Sequence, residues 1–153
     1  MSGLSPVLSS PHESKALNLG ESTLIRRVRS DETNGAFSVV EFVSDPGNGV
    51  GAHVHSKEDE IVYLLEGTIE VTLADSTLTV EAGSCALLPR GIPHGYVNVG
   101  KKPSRLLAVL LPGALDNFFA EIDLELARDR DHEGAITALC KRFGLSFLEN
   151  ASK

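Results

Sequence analysis

The stretch "GNGVGAHVHSKEDEIVYLLEG", residues 47–67, decides how this chain folds. His53 and His55 are one residue apart, and Glu60 follows five positions later. In a β-strand, side chains at i and i+2 point to the same face, so the two imidazoles project together. If the chain reverses in the polar turn "SKED", Glu60 returns beside them on the neighbouring strand. Imidazole and carboxylate together suit Fe, Mn, Ni, Co, Cu or Zn.

A second stretch, "GSCALLPRGIPHGYVN" at residues 83–98, supplies a fourth candidate ligand. His94 restarts a strand directly after the turn "PRGIP". Gly91 permits a tight bend that a Cβ would hinder, and Pro89 and Pro93 stiffen this bend. We therefore expect the turn to aim His94, and the side-chain amide of Asn98 to tie the following loop down.

Length, composition and charge limit the classes of protein that fit. The chain has 153 residues, which suits one domain, and 42% of them are apolar, as in globular proteins. A net charge of −7 argues against a nucleic-acid partner. An apolar signal core and a run of about 18 apolar residues are both missing, so we expect a cytoplasmic protein with no membrane partner. The two cysteines, Cys85 and Cys140, lack metal-type spacing and are expected to be buried thiols.

The pattern along the chain predicts three segments: a flexible N-terminal arm at 1–20, a β-barrel at 21–112 and a C-terminal helical segment at 113–153 that packs on the barrel. Many short strands separated by turn signals favour a sandwich or barrel. The run "CALLP" (85–89) reads as a strand buried on both faces. After Pro112, apolar residues recur at helical spacing with a polar opposite face. The predicted apolar positions are Leu115, Phe118, Phe119, Ile122 and Leu126, and the predicted polar ones are Asp116, Glu121, Glu125 and Arg128.

The two stretches together resemble the two motifs of the cupin superfamily. The fixed positions are Gly47, His53, His55, Glu60 and Gly67 in the first motif, and Gly83, Pro89, Gly91, His94 and Asn98 in the second. The resemblance implies an all-β fold, an antiparallel jelly-roll (cupin) β-barrel with a short C-terminal helical tail. It also implies that His53, His55, Glu60 and His94 hold one divalent transition metal per chain, with two octahedral positions left open. A homodimer is expected from the resemblance alone.

A finer resemblance is to the single-domain, quercetinase-like cupins. The pair Asp59-Glu60 fits their pattern, as does the run from Pro112 to Phe119, with one extra residue before the phenylalanines. This similarity implies a metal-dependent dioxygenase that acts on a flavonol-like or other enolic aromatic small molecule. Glu60 would then be a metal ligand or the catalytic base. The expected wall of the substrate pocket consists of Phe37, Val39, Val62, Leu64 and Tyr96.

Two other functions stay open from the sequence. A metal-dependent isomerase or epimerase of sugars or keto acids would need inward-facing polar side chains, and the predicted interior is largely apolar. Only Arg26, Arg27, Arg90 and Arg105 are available for that purpose in the strand region. A non-catalytic module that binds or senses a small molecule is the second alternative. Glu58 and Asp59 read as solvated turn residues rather than ligands.

Overall fold

The fold is built almost entirely from short antiparallel strands, followed by two helices. The computed structural model describes residues 3–149. Two short 3₁₀ helices cover Ser30–Thr33 and Gly113–Leu115. The α-helices are α1 (Asp116–Leu126) and α2 (Glu133–Phe143). The strands are β1 (Ala16–Asn18), β2 (Ser22–Val28), β3 (Ser38–Ser44), β4 (Gly49–His55), β5 (Asp59–Glu66), β6 (Thr68–Leu73), β7 (Ser76–Glu81), β8 (Cys85–Leu88), β9 (His94–Asn98), β10 (Ser104–Leu111) and β11 (Leu145–Phe147).

The strands form two antiparallel sheets that face each other as a jelly roll. One sheet has six strands in the order β1-β2-β3-β10-β5-β8, and the other has five in the order β11-β4-β9-β6-β7. Sequence neighbours β4 and β5 lie in different sheets, so the turn between them crosses from one layer to the other. The predicted all-β jelly roll with a helical tail is therefore confirmed.

The core lies between the two sheets because the strands alternate apolar and polar side chains. On β10, Leu106, Ala108 and Leu110 are buried, as are Val40 and Phe42 on β3. These two strands are paired along their whole length, so their inward side chains form one continuous apolar layer.

Helix α1 closes one side of this core. Its buried face carries the predicted Phe118, Phe119 and Ile122. The predicted polar face is wrong at two positions. Asp116 is fully buried, because its carboxylate accepts hydrogen bonds from the backbone N–H and the hydroxyl of Ser30. Glu125 is buried as well, because it is paired with the guanidinium groups that follow the helix, those of Arg128 and Arg130.

Two strands differ from the sequence prediction. The run at 85–89 is not buried on both faces: β8 is an edge strand, and Leu87 on its outer face is 65% exposed. Cys85 is an exposed free thiol and Cys140 a half-buried one, so neither is the fully buried thiol that was expected. Strand β11, which pairs with β4, was not predicted in the helical segment.

Parts of the predicted arm and tail take part in the fold. Residues 16–18 of the arm form β1, which pairs with β2. Residues 1–2 of the predicted arm and 150–153 of the predicted helical segment lie outside the described residues. None of the helices in residues 3–149 has the length and apolarity needed to cross a membrane.

Candidate metal centre

Three buried imidazoles meet on the inner face of the five-stranded sheet. His53 and His55 alternate along β4 and point to the same side, while His94 begins β9 and is the register partner of His53. The Nε2 atoms of His53 and His55 are 3.0 Å apart. One ring nitrogen from each of the three histidines lies within 4.8 Å of the others. The two sequence motifs are thus joined by direct pairing of β4 with β9.

Glu60 completes the cluster from the opposite sheet. Its Oε2 lies 3.2 Å from Nε2 of His94 and 3.6 Å from Nε2 of His55. The expectation that Glu60 returns on a strand neighbouring β4 is wrong, because β4 and β5 belong to different sheets. The carboxylate instead faces the imidazoles across the barrel interior. We call His53, His55, Glu60 and His94 the four-residue cluster.

The hydrogen bonds of the imidazoles show that this cluster fits a metal ion. Nδ1 of His53 lies 2.7 Å from the carbonyl oxygen of Gly51, and Nδ1 of His94 lies 3.2 Å from that of Ile92. Each Nδ1–H can therefore donate to a carbonyl, which leaves the Nε2 lone pair directed inward. Nε2 of His94 is buried and makes no well-aligned hydrogen bond, although Oε2 of Glu60 lies 3.2 Å away. Unprotonated nitrogens that converge on one carboxylate oxygen are a donor set that divalent transition metals take.

Burial and mutual proximity keep His53, His55 and Glu60 in the protonation state that ligands need. Burial lowers the pKa of His53, and it lowers the pKa of His55 from 6.5 to about 4. For Glu60, burial acts to raise the pKa, but the imidazoles of His94, His55 and His53 outweigh it and hold the pKa below its usual value. Neutral imidazoles and an ionised carboxylate are the forms that coordinate metal.

Close backbone contact brings β4 and β9 together at this point. A Cβ on Gly95 would lie 2.8 Å from both the backbone nitrogen of Ala52 and the carbonyl oxygen of Val50, so only glycine fits there. Gly91, at φ +79°, donates its N–H to the carbonyl of His55 at 2.8 Å. The glycines therefore fix the distance between the strands that carry the three histidines.

Two side-chain anchors hold the loops around the cluster. The amide of Asn98 donates to the carbonyls of Ser44 and Lys102 and accepts from the N–H of Gly100, which confirms that it ties this loop down. Arg90 makes two side-chain hydrogen bonds to Asp59, which also accepts from the Arg90 backbone N–H. These bonds lower the pKa of Asp59 to about 2. Asp59 therefore links the turn before His94 to the start of β5.

Glu58 is a residue of the site that the sequence reading missed. It was expected to be solvated, yet it is buried, and its Oε2 lies 3.9 Å from Nδ1 of His55. Both atoms are buried without a hydrogen-bond partner, and burial raises the pKa of Glu58. A carboxylate behind a ligating imidazole is a common way to orient the ring. The three-residue spacing between His55 and Glu58 was the sequence signal that could have indicated this contact. An acidic turn, however, does not show which of its carboxylates is buried.

An apolar cavity of about 400 Å³ extends from the cluster between the sheets; we call it the barrel cavity. Of the expected wall residues, Val62, Leu64 and Tyr96 line it, whereas Phe37 and Val39 do not. On β3 the inward positions are the even ones, so Phe42 lines the cavity instead. The sequence analysis assigned odd-numbered residues to the interior here. Neighbouring residues of a strand point to opposite faces, so a shift of one residue places every side chain on the wrong face.

Fold and cluster together define a jelly-roll protein with a candidate histidine-rich metal site inside its barrel. Residues 40–110, which include both motifs, match the model of the Cupin domain. Solved structures agree on the fold. KdgF from Halomonas sp. superimposes with a TM-score of 0.67 at 19% identity, over 74% of this chain and 99% of that one. The cupin jelly-roll fold is therefore established.

Other relatives are enzymes or biosynthetic proteins. The polyketide synthase protein CurC of Streptomyces cyaneus is 29% identical over 67% of this chain, and quercetin 2,3-dioxygenase of Bacillus subtilis is 27% identical over 59%. The matches span 66% of CurC and 26% of the dioxygenase, so neither relative is matched over its full length. The structure of the polyketide cyclase RemF from Streptomyces resistomycificus has a TM-score of 0.59 at 29% identity, over 69% of this chain and 80% of that one.

Proposed function

We propose that this protein is a metal-dependent dioxygenase of an enolic aromatic small molecule, with one divalent transition metal bound by the four-residue cluster. The observation that carries the proposal is the position of this cluster at the wall of a mostly apolar cavity between the two sheets. Such a cavity buries aromatic rings and excludes water, while the few polar groups at one end orient the substrate. The distant similarity to quercetin 2,3-dioxygenase supports the same chemistry.

Different residues of the chain have different roles in the proposed reaction. A metal bound here would act as a Lewis acid that favours the deprotonated enol. Glu60 is placed to take the enol proton, since its carboxylate is held ionised among the imidazoles and lines the barrel cavity. Val62 and Leu64 line the cavity beside Glu60, and Tyr96 contributes wall rather than acid–base chemistry, because burial raises its pKa to about 12.

The test is oxygen consumption by protein loaded in turn with Fe, Mn, Ni, Co and Cu, with a panel of flavonols and other enolic aromatics. We expect uptake that needs about one metal per chain and is lost when His53 and His94 are both changed to Ala. Glu60→Gln separates the two roles of this residue. If Glu60 is a base, the variant should retain its metal and its kcat should fall by about 10²–10⁴-fold. If Glu60 is a ligand, the variant should lose its metal. Metal that stays bound in the double variant would show that the site is elsewhere.

A second candidate is metal-assisted ring closure of a polyketide-like chain. The observation that favours it is the similarity to CurC and to the polyketide cyclase RemF. Both reactions begin by binding an enol at the cluster, but only the dioxygenase consumes oxygen. Turnover of a poly-β-ketone substrate under strictly anaerobic conditions would support the cyclase and exclude the dioxygenase. The homodimer inferred from the resemblance stays a prediction, to be measured by sedimentation.

The isomerase of sugars or keto acids is less well supported by the site. The barrel cavity is lined mostly by aliphatic and aromatic side chains. Arg27 and Arg105 are engaged with Glu41, and Arg90 with Asp59. Arg26 lies 3.8 Å from the buried carboxylate of Asp116. The four arginines that could have held hydroxyls or carboxylates therefore pair with acidic side chains away from the cavity.

A further inference from the structure

A second apolar cavity lies beneath the C-terminal helices, on the far side of the four-residue cluster. Its volume is about 300 Å³, and we call it the helix cavity. Side chains of α1, α2 and β11 line it, together with the turn at 19–22. The barrel cavity shares Phe42, Val50, His53 and Glu60 with the helix cavity, and its remaining lining comes from β5 to β10. Since β7 and β8 are edge strands at one side of the jelly roll and β1 and β11 at the other, the cavities reach the cluster from opposite sides.

Each cavity ends at three of the four cluster residues, and the two sets differ by one histidine. His53 and Glu60 line both cavities. His94 lines the barrel cavity alone, and His55 lines the helix cavity alone. A group bound in either cavity therefore reaches the cluster, each from the side of a different imidazole.

Phe42 stands between the two cavities. Its ring lies edge-on to Tyr96, which lines the barrel cavity, with centroids 6.5 Å apart. On the other side it lies edge-on to Phe119, which lines the helix cavity, at 5.5 Å. Val50 also lines both cavities, so Phe42 and Val50 form the partition next to the cluster.

The lining of the helix cavity indicates the kind of group that it binds. Phe118, Phe119 and Phe147 contribute aromatic rings, and aliphatic side chains from both helices complete the wall. Ligand sites in proteins are mostly apolar cavities of about 300–1,000 Å³, so each cavity by itself has room for only a small ligand. Aromatic rings pack favourably edge-on or offset against such walls.

We propose that the helix cavity binds one end of an elongated polycyclic enol, whose reacting oxygen lies near the middle of the molecule at the four-residue cluster. The rings on the other side of that oxygen occupy the barrel cavity. This inference rests on the proposed function for the reactive oxygen, and it narrows the substrate class from any enolic aromatic to one that extends in both directions.

The isoleucines provide reporters for the two cavities. The chain has six, of which Ile122 and Ile136 line the helix cavity and Ile69 lines the barrel cavity. The remaining three, Ile25, Ile61 and Ile92, line neither cavity. Protein with ¹³C-labelled isoleucine methyl groups, loaded with diamagnetic zinc, is titrated with 1,8-dihydroxyanthraquinone and separately with 2′-hydroxyacetophenone. The probes share one hydroxy-ketone group but have three fused rings and one ring.

We expect the three-ring probe to shift Ile69, Ile122 and Ile136 together and to saturate at one molecule per chain. The one-ring probe fits either cavity and is expected to shift the isoleucines of one cavity only. A three-ring probe that shifts only Ile69, or that leaves Ile122 and Ile136 unchanged at saturation, would overturn the proposal. This readout requires no turnover, so its failure is distinct from a failure to detect oxygen uptake.

A matched pair of variants assigns the effect to each cavity. Cys140→Phe fills the helix cavity from α2, and Ala86→Phe fills the barrel cavity from β8. We expect Cys140→Phe and Ala86→Phe each to weaken the three-ring probe at least tenfold, whereas the one-ring probe is weakened only by the variant that fills the cavity it occupies. Cys140→Ser, which adds no volume, should behave as the parent. Equal affinities of Cys140→Phe and Cys140→Ser for the three-ring probe would contradict the proposal. If a variant does not fold, the comparison of the two probes on the parent protein still tests it.

Discussion

At the scale of single residues, the candidate centre depends on how each imidazole is held from behind. His53 and His94 direct Nδ1 to backbone carbonyls, which fixes their rings. Nδ1 of His55 has no hydrogen-bond partner among the described residues, and Oε2 of the buried Glu58 lies 3.9 Å from it. We therefore expect Glu58 to position the ring of His55.

Glu58→Gln should weaken metal binding by about 10–100-fold, the range found when a partner behind a ligating histidine is removed. The affinity is measured by competition with a chromophoric chelator. Glu70→Gln is the matched control, since it makes the same charge change at an exposed position of β6. Equal losses in the two variants would show that net charge, and not the contact with His55, is responsible.

At the scale of elements, the spacing of β4 and β9 decides whether the histidines converge. His53 and His94 are register partners, and next to His94 the backbone of Gly95 lies close to that of β4. A side chain there has to push the strands apart, because its neighbours are backbone atoms. The turn before β9 adds to this, since Gly91 is bonded to the carbonyl of His55.

Gly95→Ala should reduce metal affinity at least tenfold and destabilise the fold by about 1–3 kcal/mol, the usual cost of overpacking. Metal content is measured by elemental analysis and stability by urea unfolding. Gly134→Ala is the control, since a Cβ on this helical glycine meets nothing within 4 Å. It should retain metal and gain stability. Full metal content in Gly95→Ala would mean that β4 and β9 separate without moving His94.

At the scale of the whole molecule, burial of the cluster links stability to pH. Free imidazole takes up a proton near pH 6.5, whereas folded His55 does so only near pH 4. The unfolded chain therefore binds more protons below pH 6.5, so the stability that is present above pH 6.5 is lost as the pH falls towards 4. His53, whose pKa is also lowered, likewise makes the fold less stable as the pH falls. Glu60, whose pKa is lowered too, does the same below pH 4.5. Glu58, with its raised pKa, acts in the opposite direction.

Metal-free protein should lose on the order of 3 kcal/mol of unfolding free energy through His55 alone between pH 6.5 and 4. Urea unfolding at several pH values measures the loss. His55→Gln, which has no titrating group, should show a shallower decline, and His12→Gln, at an exposed position, should match the parent. Metal-bound protein should lose its metal over the same range. Identical slopes in His55→Gln and the parent would contradict the assignment.

From the sequence by itself, strand alternation and turn signals predicted a sandwich or barrel, because both act over short distances. The resemblance of the two motifs to the cupins implied the jelly roll and the four residues that converge. Tertiary structure alone decided that Glu60 faces the histidines from the opposite sheet, that Phe42 rather than Phe37 or Val39 lines the barrel cavity, and that Glu58 is buried. It also created the helix cavity, which requires α1, α2 and β11 to meet the barrel. These features depend on which sheet each strand joins and on what covers it, and contacts between distant segments leave no local pattern to read.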